Sequence, residues 1–324
     1  MHNNFLLKSK NSKFFDLFIN DLFSSNSLID YKNVIEPFYS QYEMKLKENL
    51  KLLKDQRCLG YMNLKVGKSN NGIVQIFNHR EQGNLKARLI HNYDLNDELI
   101  IINTAGGLTS GDLNLNSIQV DCNTSLNITT QSMEKIYNCK NLLANAYTNI
   151  IVGDNSYVSW MPLETIFFNG GKLRRRLNID LKTSSNFFAV ETLIFGRQAM
   201  GEIVESGELD DALQIYKNNK LLYSDFNKIK GNIDKKILKS LVLKGNNIFC
   251  NVVYTGKKMR IYEKQILKYA DKSKYFFGTS IVNGVLLLKI LAKNINDIRD
   301  FLGDLVKIFG KNFNLPRIWS FNKK

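Results

Sequence analysis

The sequence predicts a mainly β protein built from stacked short strands. Three phrases, beginning at Ser125, Ser156 and Asn186, repeat one theme at a spacing of about 30 residues, the range of stacked repeats. Each follows a β-like run and a polar turn, at 118–123, 150–155 and 177–185. From Cys58 onward, short runs rich in β-branched and aromatic residues alternate with Asn, Asp, Gly and Ser, and helix signals are few.

Taken in order, residues 1–56 read as an N-terminal extension, helical or only partly ordered, with amphipathic helices expected at 13–23 and 43–54 and a break near Pro37. Residues 57–324 read as one β-rich domain. Strands are expected at 61–66 and 73–79 around a polar turn, at 85–91, and at 99–103, where a run of apolar residues ends at a glycine phrase. Further strands follow at 117–121, 125–130, 146–152, 157–161, 165–168, 173–181 and 187–195, with a short helix at 133–138 as the exception. Strands at 221–224, 240–244, 247–254 and 279–292 continue the pattern, with a helix at 260–269. The strongest helix signal is 295–309: Ile298, Phe301, Leu302, Leu305, Val306 and Phe309 make one stripe, and Asn294 or Asn296 can cap it.

The chain has 324 residues and 44% hydrophobic content, enough for a sizeable core. No run approaches a membrane span. Asp16 and Asp21 interrupt the first apolar stretch and no small-residue cleavage site follows, so the segment reads as retained and the protein as cytosolic. The net charge of +15 fits either an acidic partner or lysines dispersed over the surface, and the dispersion from Lys8 to Lys324 favours the second. The densest basic phrase is Lys172-Leu173-Arg174-Arg175-Arg176. Cys58, Cys122, Cys139 and Cys250 form no C-x-x-C pair and read as buried free thiols, and the three histidines are scattered; no stable metal or cofactor site is expected.

The phrase Gly106-Gly107 … Gly111-Asp112 is neither a P-loop nor a dinucleotide fingerprint. It reads as a turn needing left-handed backbone, and Asp112 could add a carboxylate to a polar channel. Glu134, Glu164, Glu191 and Glu202 sit inside apolar phrases, where charges are rarely buried unpaired. Glu164 is open to two readings: a salt bridge to Arg174, Arg175, Arg176 or Arg197, or a cation-handling or acid carboxylate. Glu134 and Arg197 read first as members of structural pairs, and Trp160 and Trp319 as core anchors. No nucleophile–base set is arranged for covalent catalysis.

In this order the phrases 103–112, 129–137, 160–168, 173–176, 196–202 and Pro316-Arg317-Ile318-Trp319 resemble the urease accessory protein family UreD, called UreH in some organisms. The resemblance runs from about Cys58 to Trp319. It implies a stacked, twisted β-helix-like body with a few helices, including one at the C-terminus. It also implies a non-enzymatic maturation factor that binds the urease apoprotein with UreF and UreG and assists nickel delivery, with nickel in transit through an internal polar passage. Asp112, Glu134, Glu164 and Glu202 are then the candidate passage carboxylates. Gly106, Gly107, Gly111, Arg174, Arg175, Arg176, Arg197 and Trp160 are the structural or partner-binding candidates. Ser110 and Leu163 depart from the family's usual Gly and Gln, and the first 55 residues have no match. Two other readings stand beside this one: a β-helical carbohydrate-active enzyme using paired carboxylates, and a basic nucleic-acid binder acting through residues 172–176.

Overall fold

The computed structural model describes residues 58–140, 142–197, 200–270 and 276–320. The expected N-terminal extension, 1–56, lies outside the described residues. Two antiparallel hairpins come first: β1 (Leu59–Lys68) with β2 (Val74–Gln82), and β3 (Leu85–Ile90) with β4 (Asp97–Asn103). The chain then winds in coils through β5 (Leu113–Val120), β6 (Ser125–Thr130) and the short β7 (Glu134–Ile136). The next coil is β8 (Ala144–Val152), β9 (Tyr157–Trp160) and β10 (Thr165–Phe167), and the third is β11 (Lys172–Leu181) and β12 (Asn186–Phe195). A hairpin of β13 (Gly207–Lys217) and β14 (Lys220–Gly231) ends the winding. After it come α1 (Ile233–Ile237), β15 (Ile248–Thr255), α2 (Met259–Ala270), β16 (Phe276–Val282), β17 (Val285–Ala292) and α3 (Ile295–Ile308).

The strands form two sheets, and in each coil the first strand lies in one and the rest in the other. One has the order β14-β13-β11-β8-β5-β1-β2, and the other runs β16-β17-β15-β12-β9-β6-β4-β3, with β10 and β7 attached. The coil strands are parallel, and their register steps from Leu113 to Asn145 to Arg174, about 30 residues per coil. The fold is therefore the expected stacked, β-solenoid-like body. The three repeated phrases of the sequence are β6, β9 and β12 (or their first residues), and the polar turns before them are the coil corners. Asn123 and Asn155 occupy equivalent corners at φ 58° and 55°, a left-handed conformation that asparagine tolerates better than most residues. The corners are tied coil to coil: Asn123 N–H donates to Asp154 O at 2.8 Å, and Asn186 N–H to Ser156 O at 2.9 Å.

Inward positions fill the space between the sheets in layers. Ile118, Ile150 and Ile179 form one layer, and Val120, Val152 and Leu181 the next, against Leu126, Val158 and Phe187. Strand β12 is buried on both faces: Phe188 and Val190 point the other way, into a second core with Phe301, Leu302 and Leu305 of α3. This explains why its sequence reads as a continuous apolar run rather than an alternation. Asn294 caps α3 as expected, accepting from Asn296 N–H at 2.9 Å.

Several sequence expectations differ from the structure. Residues 134–136 form β7, not a helical turn, because they pair in parallel with β10. The segment 279–292 is not one strand but parts of β16 and β17, reversed at Asn283-Gly284, where both residues have positive φ as a tight hairpin turn demands. Asn218-Asn219 does the same between β13 and β14, and the sequence reading missed the first of those strands. Residues 240–244 are a turn after α1 rather than a strand. Of the thiols expected to be buried, Cys139 and Cys250 are, Cys58 is partly so, and Cys122 is exposed. Among the described residues no helix is long and apolar enough to cross a membrane.

The second core sets a first expectation. Phe301 is 1% exposed, and replacing it with Ala should cost about 3–5 kcal/mol through lost burial and the cavity left behind. Chemical denaturation of the two proteins measures this; a loss under about 1 kcal/mol would mean α3 is not part of the core.

Candidate functional site

The inward column of each coil changes character along its strand. Towards the corners it is Ile, Val and Leu. At the other end the same parity carries Asn114 and Asn116 on β5, Ala146 and Thr148 on β8, and Arg175 on β11. In the facing sheet it carries Thr130, Trp160 and Glu191. The apolar interior thus gives way to a polar one, and there a cavity of about 90 Å³ lies between the sheets. At roughly 30 Å³ per molecule this is room for about three waters. Asn103, Gly106, Gly107, Glu134, Arg175 and Glu191 are on its wall.

Arg175 organises one side. Its Nε and Nη2 donate to the two oxygens of Asp211 at 2.8 and 2.9 Å, and its Nη1 lies 3.3 Å from Glu191 Oε1. Glu191 also accepts from Trp160 Nε1 at 3.2 Å. Two carboxylates therefore share one guanidinium inside the protein. Burial opposes the Arg175 charge, but Asp211 and Glu191 outweigh it and raise the pKa. Burial pushes Glu191 up against the pull of Arg175, and the Asp211 charge adds to the rise.

Glu134 forms the other side. Its two oxygens accept from Asn103 Nδ2 at 3.1 and 3.2 Å, while Asn84 Nδ2 donates to Asn103 Oδ1 at 2.7 Å and so fixes the amide's orientation. Burial pushes the Glu134 carboxyl up to about 7, against those Asn103 hydrogen bonds. The sequence reading had Glu134 in a structural pair; the structure gives it an amide partner and a place on the cavity wall.

The other acids expected at a passage lie elsewhere. Glu164 is fully buried and holds Arg299 of α3 in a bidentate pair at 2.7 and 2.8 Å, rather than any of Arg174, Arg175, Arg176 or Arg197. Its backbone oxygen accepts from Glu134 N–H at 3.0 Å, which links that pair to the cavity wall. Asp112 accepts from Cys58 N–H at 2.9 Å and Thr109 N–H at 2.8 Å, tying the glycine phrase to the start of β1. Glu202 closes a loop with Arg197, 2.8 Å from Nε; that hydrogen bond outweighs burial and lowers the carboxyl's pKa. Arg197 also stacks 4.4 Å over Phe168.

The glycines have separate reasons. Gly106 and Gly111 have φ of 73° and 80°. Gly107, at φ 154°, passes so close to β7 that an added Cβ would stand 2.6 Å from Lys135 O. The arginines of the basic phrase are ion-paired: Arg174 and Arg176 share Asp210, at 3.1 and 2.8 Å. Trp160 is buried and serves as the donor to Glu191 described above. Among the described residues no group of three or more His, Cys, Asp or Glu is placed to hold a metal ion.

Sequence reasoning placed Glu191 among the buried acids but did not put it at a site, and it missed Asp211 and Asn103. The parity of β12 was the available signal for Glu191, since Phe187, Ala189 and Glu191 share the inward face. Asp211 was hidden because β13 itself was missed.

Two expectations follow. Arg175→Met leaves two buried carboxylates without their cation and should cost about 3–5 kcal/mol, whereas Glu191→Gln keeps one cation and one anion and should cost about 1 kcal/mol or less. Denaturant titration of both variants tests this, and equal losses would contradict the shared-charge account. For Glu134, the folded pKa lies above the unfolded value, so its contribution is fully present below pH about 4.5 and is lost as pH rises through about 7. The stability of the native chain relative to Glu134→Gln should fall across that window, by at most about 3 kcal/mol. A flat difference would show that Glu134 is solvated.

A sequence profile described as "UreD urease accessory protein" matches residues 59–320. The chain is similar to the urease accessory protein UreD of Rhizobium johnstonii, 32% identical over 267 residues, covering 82% of this chain and 97% of that one. The UreD proteins of Rhizobium etli and Agrobacterium fabrum are each 30% identical to it, over 82% and 83% of this chain and 97% and 93% of theirs.

Proposed function

Since the chain belongs to the UreD family of urease accessory proteins, we propose that it serves urease maturation by passing nickel through the cavity between its two sheets. The observation that carries this reading is the polar end of the interior, where Glu134 and Glu191 face one small space walled otherwise by the Arg175 and Arg176 side chains, amides, hydroxyls and apolar groups. Nickel is cargo here, not a resident cofactor. Carboxylate and amide oxygens hold Ni²⁺ less tightly than clustered imidazoles or thiolates do, which suits transfer rather than storage. A carboxyl with a pKa near 7 can give up its proton to an arriving cation and take it back when the cation leaves. Arg175 keeps the Asp211 side of the wall neutral, so the space is not so negative that it traps a cation.

In this reading Asp112, Glu164 and Glu202 act on the scaffold. Asp112 fixes the glycine phrase, Glu164 fixes α3 beneath Glu134, and Glu202 closes the 197–202 loop. The role is non-catalytic, and the partners are the urease apoprotein, UreF and UreG, in the cytoplasm. The basic phrase carries no free positive row for a nucleic acid, since its arginines are spent on Asp210, Asp211 and Glu191. Glu191 and Asp211 are likewise spent on one guanidinium, which leaves no acid–nucleophile pair of the glycosidase kind there.

The test is urease activation in cells that express the urease operon with variants of this chain. Glu134→Ala and Glu191→Ala should each lower urease activity about tenfold or more while the chain still co-purifies with UreF, UreG and apo-urease, and Glu134→Asp should restore part of it. Full activation with both carboxylates removed would overturn the passage. Full activation without the chain at all would overturn the maturation role.

A further inference from the structure

Among the described residues, four strands end the main runs of the two sheets: β14 and β2 in one, β16 and β3 in the other. An open edge offers a row of unused N–H and C=O groups to any strand that can reach it, and proteins commonly block it with charge, proline or a bulge. Three of the four are blocked in this way. β14 carries Lys220, Lys228 and Lys230 and a break in its register with β13. β2 carries His79, Arg80 and Glu81 and a similar break in its register with β1. β3 is six residues long and carries Lys86 and Arg88. β16 is the exception: Phe276-Phe277-Gly278-Thr279-Ser280-Ile281-Val282 holds no charged residue and no proline, and its register with β17 is unbroken.

The Asn283-Gly284 turn fixes which groups of β16 face outward. A two-residue hairpin turn makes Val282 and Val285 a hydrogen-bonded pair, so Val282, Ser280, Gly278 and Phe276 bond to β17. The N–H and C=O groups of Phe277, Thr279 and Ile281 point to the open side, and no described strand pairs with them. Side chains alternate along the same strand. Phe277 and Ile281 pack against the second core. Phe276, Gly278, Ser280 and Val282 are exposed, Phe276 by 52% and Val282 by 41%. The edge thus combines three free donors, three free acceptors and exposed apolar side chains, with no charge of its own to repel a neighbour.

We propose that β16 pairs antiparallel with β16 of a second copy of this chain, about a two-fold axis at Thr279, so that the sheet runs on across a dimer. The strand is complementary to itself in that register. Phe277 lies opposite Ile281 of the other copy and Thr279 opposite Thr279, so the outward groups of the two copies exchange six N–H···O=C bonds, two for each of three residue pairs. On the exposed face Phe276 lies opposite Val282 and Gly278 opposite Ser280: apolar meets apolar at both ends and small meets small in the centre. Lys244, 4.1 Å over the Phe276 ring, sits three residues along the strand from the axis, about 10 Å. Each copy carries a net charge of +15, and the ladder is short, so the dimer is weak and reversible, with a Kd of about 100 µM. The inference rests on the fold alone and not on the urease reading.

Analytical ultracentrifugation of the purified full chain, from about 5 to about 500 µM, tests it. A monomer–dimer equilibrium is expected, and it should strengthen as added salt screens the net charge. Ser280→Lys alters an exposed side chain and puts two ammonium groups at diagonal positions across the axis, so it should weaken the dimer about tenfold or more, with Tm as the check on its fold. Ser280→Glu should act likewise. An equimolar mixture of the two variants should restore the dimer, because Lys then meets Glu across the axis. Amide exchange of Phe277, Thr279 and Ile281 should slow about threefold between the lowest and highest concentrations. A monomer mass up to about 500 µM overturns the proposal. So does a dimer that folded Ser280→Lys leaves intact, or one that added salt dissociates. Protection of the three amides only when another protein is added would assign the edge to a foreign strand and overturns it as well.

Discussion

A parallel register of about 30 residues per coil puts equivalent positions of the sequence into columns that run across the sheets. Everything inside the molecule follows from what fills those columns. Where the inward positions are Ile, Val and Leu, the sheets close on each other as a dry core. Where the same positions are Asn114, Thr148, Arg175 and Glu191, the sheets cannot close without stranding polar groups, and a small polar space remains. The second core, under α3, is built by the opposite parity of β12, so one strand serves both interiors.

Charge balance then decides what the polar space can be. A guanidinium between two carboxylates leaves the group one negative charge in excess if both acids ionise. Burial answers by raising the Glu191 pKa, and it raises the Glu134 pKa on the opposite wall in the same way. Such acids are poor permanent anions and good exchangeable ones. The fully satisfied pairs, Glu164 with Arg299 and Glu202 with Arg197, sit outside this space and hold the elements that frame it. The interior thereby separates carboxylates in fully satisfied pairs outside the space from Glu134 and Glu191, which burial holds above the ordinary carboxylate pKa beside it.

Much of this was legible in the sequence because it is local. The coil strands show as repeated β runs, the corners as Asn- and Ser-rich turns, and α3 as one apolar stripe with an asparagine cap. Family membership was legible through ordered phrases rather than any single motif. What stayed hidden depends on contacts distant in the chain. Glu164 was readable as a buried acid, but Arg299 lies 135 positions away and nothing local joins them. Asp211 meets Arg175 only because β13 adds to the sheet in a register no local pattern states. The Asn283-Gly284 turn is a different case: its signal was present, and a continuous apolar run on either side masked it. Similarly, the pairing of residues 134–136 with β10 overrode the weak helical reading of that stretch.

The account rests on nickel entering the space between the sheets. Anomalous diffraction at the nickel edge, from crystals of the chain in complex with its urease-maturation partners and Ni²⁺, tests that most directly. The account predicts nickel density between the sheets, within coordination distance of the Glu134 or Glu191 carboxylate. Nickel bound only on the outer surface, with that space holding water alone, would contradict it.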